Sequence, residues 1–80
     1  MKQISPLSEI GSKIRSLRLA RGYSQEALAA EADMARSYYG AIERGERNFS
    51  VLGLLRIARA LNVSVIELFP QSYLSTNNLQ

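Results

Sequence analysis

A short helical segment carries the residues of this chain that are best suited to contact a polyanion. At about 100° per residue, residues 36–44 divide into two faces. One face carries two arginines with small residues between them: Arg36, Ser37, Gly40, Ala41 and Arg44. Arginine can donate two hydrogen bonds at once to a phosphate or a guanine edge, and small residues allow close approach. The pattern predicts a helix that enters a narrow polyanionic groove, as in a DNA-binding helix-turn-helix.

Gly40 is an unusual residue for the middle of this helix. Glycine costs about 0.5–1 kcal/mol there relative to alanine. The helical wheel places Gly40 on the outer side, which favours the interpretation that a larger side chain would hold the helix away from its partner. Close packing against a neighbouring helix is the alternative.

Composition agrees with this hypothesis and excludes several others. The 80 residues carry a net charge of +3, and eight of the ten cationic side chains are arginine; a general solvated cationic surface would also explain this charge. The chain has no cysteine and no histidine, which excludes disulfides and zinc-finger ligation. We find no paired-carboxylate motif or glycine-rich phosphate loop, so we expect no enzyme, metal or cofactor. No membrane-spanning run or signal peptide is present, which predicts a cytoplasmic protein.

The apolar periodicity predicts an all-α chain of five helices and no strands. Residues 1–8 are interpreted as a flexible leader with Ser8 as the first N-cap, residues 9–69 as one domain, and residues 70–80 as a polar tail. The helices are predicted over 9–21, 25–32, 36–44, 51–61 and 65–69. Serines are the expected N-caps of three of them, at Ser24, Ser50 and Ser64. Residues that tolerate the left-handed conformation are expected to end the first four helices, at Gly22, Asp33, Gly45 and Asn62. The fourth helix is predicted to bury Val51, Leu54, Leu55, Ala58 and Leu61.

Three segments together resemble one family of regulators. They are SQEALA at 24–29, ARSYYGAIERG at 35–45 and LLRIARALNVS at 54–64. In this order the chain resembles Cro/lambda-repressor-like, xenobiotic-response-element-type helix-turn-helix proteins, and within them the controller proteins of restriction–modification systems. The resemblance implies a five-helix lambda-repressor-like domain with the helix-turn-helix at helices 2 and 3. It also implies a bacterial or phage-encoded homodimer that binds double-stranded DNA at a (pseudo)palindromic operator, with activation and repression left open.

The resemblance also assigns roles to individual positions. Base reading is implied for Arg36, Ser37 and Ala41, with Gly40 beside them. Contact with backbone phosphates is implied for Gln25, Tyr38, Arg44, Arg47 and Asn48. Arg18 and Glu43 fall where some members have a partly buried ion pair, the alternative being two solvated charges. Three residues depart from the family pattern: Asp33 replaces a common glycine, Ala35 a polar cap, and Tyr39 an aliphatic core residue, so that Tyr39 needs either a larger pocket or an outlet for its hydroxyl.

Dimerisation is predicted from the last helix. One chain of this size reads about one half-site, and specific operators usually need two. The predicted dimer interface uses Ile66, Leu68 and Phe69, together with Tyr73 and Leu74; the alternative is that they only complete the monomer core. No small-molecule effector domain is predicted. A different function on the same fold, an antitoxin-like or adaptor module that binds protein, would require large apolar residues on the outer face of helix 3, where the sequence has arginines and small residues.

Overall fold

Four α-helices and two short 3₁₀ turns make up the part of the chain that the structure describes. The computed structural model describes residues 5–73, and its α-helices are α1 Pro6–Ala20, α2 Gln25–Glu31, α3 Arg36–Glu43 and α4 Val51–Leu61. The 3₁₀ turns are Val65–Leu68 and Gln71–Tyr73. Residues 5–73 contain no strand, as the periodicity predicts.

The first helix begins earlier than the predicted start at residue 9. Ser5, rather than Ser8, is the N-cap, and its hydroxyl accepts a hydrogen bond from the backbone N–H of Ser8. Pro6 takes the first helical position, where its missing N–H costs nothing, and it holds Ser5 in the extended conformation of a cap. Residues 6–8 of the predicted leader are therefore helical, whereas residues 1–4 lie outside the described residues.

The predicted fifth α-helix is a 3₁₀ turn of four residues, Val65–Leu68. Ser64 caps it in a capping box with Glu67. Pro70 disfavours helical backbone at the preceding residue, and Phe69 is indeed extended, with ψ 139°. Too few residues remain between Ser64 and Pro70 for an α-helical ladder. Of the predicted polar tail, residues 71–73 form the second 3₁₀ turn, and residues 74–80 lie outside the described residues.

The predicted caps and ends of the other helices are present. Ser24 and Ser50 cap α2 and α4 through their hydroxyls, whereas Ala35 gives α3 no side-chain cap. Each α-helix is followed by a residue with positive φ: Gly22 (79°), Asp33 (59°), Gly45 (74°) and Asn62 (59°). These are the residues that the sequence predicts to end the helices, and only glycine adopts this conformation without a steric cost.

The core lies between α1, α2, α3 and α4 and is closed by the Val65–Leu68 turn. Its fully buried large side chains are Ile14, Leu28, Tyr39, Ile42, Ile57, Leu61 and Leu68. The predicted core stripe of α4 is wrong at two positions, because Val51 and Leu55 are 77% and 46% exposed. The buried large side chains are instead Leu54, Ile57 and Leu61, with Ala58 between them, so Val51 lies before the start of the buried stripe and Leu55 lies beside it.

Helix α1 lies against the backbone at the end of α3. A Cβ atom on Gly11 would collide with the carbonyl oxygen of Ile42 and would lie 2.5 Å from that of Glu43. Such a separation is too short for any real contact, so only glycine permits the approach. The end of α3 is thereby placed directly on α1.

Candidate nucleic-acid interface

Helix α3 exposes its first turn and buries most of its remaining residues. Arg36 and Ser37 are exposed, whereas residues 39–43 are all buried. Because Ala35 provides no side-chain cap, the first N–H groups of α3 are left to solvent or to a ligand. The hydrogen-bond donors of Arg36 and Ser37 are therefore exposed at the positive end of the α3 dipole, while the rest of the helix packs in the core.

Gly40 does not lie on the outer side of α3, so that prediction is wrong. Gly40 is buried, and a Cβ atom there would lie 3.2 Å from Nη1 of Arg44 and 3.5 Å from Oε1 of Gln25. Both of these side chains lie over the glycine, because Arg44 is one turn further along α3 and Gln25 begins α2. Ala41 is also at the border of burial, with 9% of its surface exposed.

Glu43 is the centre of a buried polar network that joins three helices. Its Oε2 accepts hydrogen bonds from Nε of Arg18 at 2.6 Å and from the hydroxyl of Tyr39 at 2.5 Å. Its Oε1 accepts from Nη2 of Arg18 at 3.2 Å and from the amide of Gln25 at 3.0 Å. Arg18 also donates to the carbonyl oxygen of Tyr23 at 2.9 Å. The ion pair implied for Arg18 and Glu43 is thus present and buried.

The electrostatics of this network keep the pair charged. Burial alone would raise the pKa of Glu43, but the hydrogen bonds from Arg18, Tyr39 and Gln25 outweigh it and hold that pKa below its ordinary range. The hydrogen bond to Glu43 raises the pKa of Arg18, and burial raises the pKa of Tyr39, which stays protonated. Glu43 is the polar outlet that the Tyr39 hydroxyl needs. Tyr39 and Glu43 are four residues apart on α3, and side chains at this spacing are neighbours on a helix. The spacing is therefore a signal in the sequence from which this partner could have been predicted.

The implied phosphate ligands form two groups: the side chains of Gln25 and Arg44 lie together over Gly40, and Tyr38, Arg47 and Asn48 contact one another. Gln25 lies at the start of α2 and is half-buried, with its amide donating to Glu43. Arg44, the residue that follows α3, is exposed and pairs with Glu46. The guanidinium of Arg47 lies over the ring of Tyr38, 5.4 Å from its centroid, and the Tyr38 hydroxyl donates to the carbonyl oxygen of Asn48 at 3.2 Å. The ring of Tyr38 therefore supports the loop that carries Arg47 and Asn48.

The predicted dimer residues do not share one environment. Leu68 is fully buried in the monomer core, so its assignment to a dimer interface is wrong: the 3₁₀ turn points it inward, beneath α4. Ile66 is 57% exposed and Phe69 is half-buried. These two line an open apolar groove of about 430 Å³ with Pro6, Ile10 and Tyr73. Tyr73 donates a hydrogen bond to Glu9 of α1, and Leu74 lies outside the described residues.

Among residues 5–73, no helix has the length and the apolar character that crossing a membrane requires.

Comparison with known proteins identifies the family. A helix-turn-helix family model matches residues 14–68. The control protein C.MunI of a Mycoplasma species is 42% identical over 60 residues, which are 74% of this chain and 81% of that protein. The crystal structure of the restriction–modification controller protein C.AhdI from Aeromonas hydrophila is similar with a TM-score of 0.78 at 46% identity, covering 79% of this chain and 96% of that one. The controller protein C.Esp1396I, crystallised as a tetramer with its natural 35 base-pair operator, is similar with a TM-score of 0.75 at 33% identity, covering 82% of this chain and 87% of that one. The chain therefore belongs to the helix-turn-helix family of the Cro/lambda-repressor type.

Proposed function

We propose that this protein is a sequence-specific DNA-binding transcription regulator of the restriction–modification controller type, and not an enzyme. It acts in the cytoplasm as a homodimer on a (pseudo)palindromic operator. The observation that carries the proposal is the division of α3, in which Arg36 and Ser37 are exposed at the first turn while residues 39–43 are held by the core. The first residues of a recognition helix are the ones that contact base edges when such a helix lies in the major groove.

Base reading is assigned to the exposed first turn of α3. Arg36 can donate two hydrogen bonds to O6 and N7 of a guanine, and the Ser37 hydroxyl can pair with either kind of base edge. Ala41 is left as a small apolar contact for a thymine methyl. Gly40 is covered by the side chains of Arg44 and Gln25, so its role is to leave room for them and not to touch a base.

Phosphate binding is assigned to the side chains that flank this turn. Gln25 lies at the start of α2, whose free N–H groups favour an anion. Arg44, Arg47 and Asn48 are exposed just after α3, and the Arg44 guanidinium lies beside the Gln25 side chain. Tyr38 acts through its neighbours, since its ring lies beneath Arg47 and its hydroxyl holds the Asn48 carbonyl. Phosphate contacts from these side chains would fix the register of the helix on the duplex.

The dimer is assigned to the apolar groove between α1 and the 3₁₀ turns. In this proposal the turn Val65–Leu68 takes the place of the fifth helix of the lambda-repressor-like fold. Ile66 and Phe69 contact the second copy, and Leu68 belongs to the core. Two copies would read half-sites about one helical turn of DNA apart, or a multiple of it.

The test of the function is selection of binding sites from random duplex DNA, followed by binding measurements on the selected sequence. We expect a twofold-symmetric site, with affinity that falls steeply as salt rises. Arg36→Ala is expected to lose discrimination at one base pair per half-site by about 1–3 kcal/mol. Arg47→Ala is the matched control, because removing a phosphate ligand weakens binding to all sequences alike. If no sequence is enriched, or if the two variants behave identically, the assignment of Arg36 to base reading is refuted.

The test of the dimer interface is sedimentation at increasing protein concentration. We expect Ile66→Asp to shift the protein toward monomer, because a charge in an apolar interface is left without compensation. Leu52→Asp is the control, since Leu52 is equally exposed, at 58%, but lies on α4 away from the groove-lining residues. Loss of the dimer in the Leu52 variant alone would place the interface on α4 instead.

A further inference from the structure

The end of α3 fixes the backbone of Glu46. Gly45 adopts a positive φ of 74°, its N–H donates to the carbonyl oxygen of Ile42 at 3.0 Å, and the N–H of Glu46 donates to that of Ala41 at 2.9 Å. These two bonds are the pair that defines a Schellman motif. Glu46 is therefore held in a constant position relative to α3, two residues after Arg44.

Glu46 and Gly40 together hold the guanidinium of Arg44. Nε of Arg44 donates to Oε1 of Glu46 at 3.0 Å, while Nη1 lies over Gly40, beside the Gln25 side chain. The side chains of both Arg44 and Glu46 are more than half exposed. A cation is thus held on the face where phosphates are expected, with a carboxylate from the same chain as its partner.

We propose that Glu46 is a positioning residue that stands in for a DNA phosphate on Arg44 in the free protein, and that DNA binding exchanges the carboxylate for the phosphate. This inference rests on the proposed function. A carboxylate and a phosphate accept the same charge-assisted hydrogen bonds from a guanidinium, so the two compete for Arg44. An exposed ion pair contributes little to stability, so a phosphate can displace Glu46 readily.

The exchange has a defined consequence for affinity. Each binding event must break the Arg44–Glu46 pair, and the free energy of that pair is lost from the free energy of binding. This loss of affinity does not depend on base sequence, because Arg44 contacts a phosphate and not a base. Glu46 therefore weakens binding to operator and to random DNA by the same factor.

The test compares wild-type protein with Glu46→Gln on the selected operator and on random duplex DNA. We expect Glu46→Gln to tighten both by about two- to fivefold, the range that an exposed ion pair can supply, with their ratio unchanged. Glu31→Gln is the control, because it removes the same charge at an exposed position at the end of α2. The unfolding midpoint of each variant shows whether the fold is unaffected.

Repetition in an Arg44→Ala background, at a salt concentration where that variant still binds, separates the exchange from general charge repulsion. The gain from Glu46→Gln should disappear when Arg44 is absent. An equal gain in both backgrounds, or no gain beyond that of Glu31→Gln, would overturn the proposal. Wild-type protein that binds no duplex would instead refute the proposed function itself.

Discussion

Replacement of Glu43 by glutamine is the sharpest test of how the recognition helix is held in place. The change keeps the size of the side chain but removes the charge that receives four hydrogen bonds from Arg18, Tyr39 and Gln25. Each carboxylate oxygen of Glu43 faces two donors, so the amide nitrogen of glutamine meets an Arg18 N–H at either position. Arg18, whose side chain is only 8% exposed, is then left as a buried cation without a counter-charge.

The expected loss is large for a domain of this size. Breaking one partner of a buried ion pair costs about 3–5 kcal/mol, and we expect about 3 kcal/mol because the remaining amide oxygen still accepts a bond. The stability of a chain of 80 residues is roughly 4–12 kcal/mol in total. At about 4–8 °C per kcal/mol, Glu43→Gln should lower the melting temperature by roughly 12–24 °C.

The assays are unfolding by urea and unfolding by heat, each followed by circular dichroism at neutral pH. Glu31→Gln, the same chemical change at an exposed residue, should lie within about 0.5 kcal/mol of wild type. In an Arg18→Met background, Glu43→Gln should cost much less, because no buried cation is left behind. A loss under about 1 kcal/mol, or the same loss in both backgrounds, would refute the reasoning that the ion pair supplies this stability.

Three further predictions concern stability. The pKa of Glu43 is lower in the folded protein than its ordinary value of 4.5. The contribution of Glu43 to stability is therefore fully present above pH 4.5 and is lost as the pH falls through the folded pKa. The urea midpoint should drop on acidification, and it should drop less in Glu43→Gln. Gly11→Ala places a methyl group against the carbonyl oxygens of Ile42 and Glu43 and should cost about 1–3 kcal/mol in urea unfolding, whereas Ala20→Gly at the exposed end of α1 should cost under about 1 kcal/mol. Asp33→Gly removes the steric cost of a positive φ of 59° but makes the unfolded chain more flexible. Because the two effects oppose each other, we expect the free energy of unfolding, measured by thermal unfolding, to change by no more than about 1 kcal/mol in either direction.

Features that depend on neighbouring residues along the chain could be predicted from the sequence. Ser24 and Ser50 cap helices because a serine hydroxyl reaches an N–H three residues ahead. Gly22 and Gly45 end helices because they adopt positive φ at little cost. The predicted start of α1 is wrong for the same kind of reason, since Ser5 followed by Pro6 is also a local signal, and Ser8 is a weaker one.

Features that depend on which helix covers which face could not be predicted in this way. A helical wheel gives the angle of Gly40 around α3 but not that Gln25, from another helix, lies over it. It gives Leu55 an apolar stripe but not that the core ends before reaching it. Leu68 and Ile66 both lie in an apolar run, and only the 3₁₀ geometry of the turn decides which of them is buried.

The buried network also explains how α3 manages without a cap. A missing N-cap costs about 1 kcal/mol, and the first turn of α3 has no side-chain cap at Ala35. The opposite end is held instead: Glu43 joins α3 to α1 through Arg18 and to α2 through Gln25. The end that would meet DNA is therefore left with free N–H groups, while the end that sets the orientation of the helix is fixed by buried charge. Because Gln25 belongs both to this network and to the proposed phosphate contacts, a phosphate that draws on its amide would act on the same group that helps to orient the recognition helix.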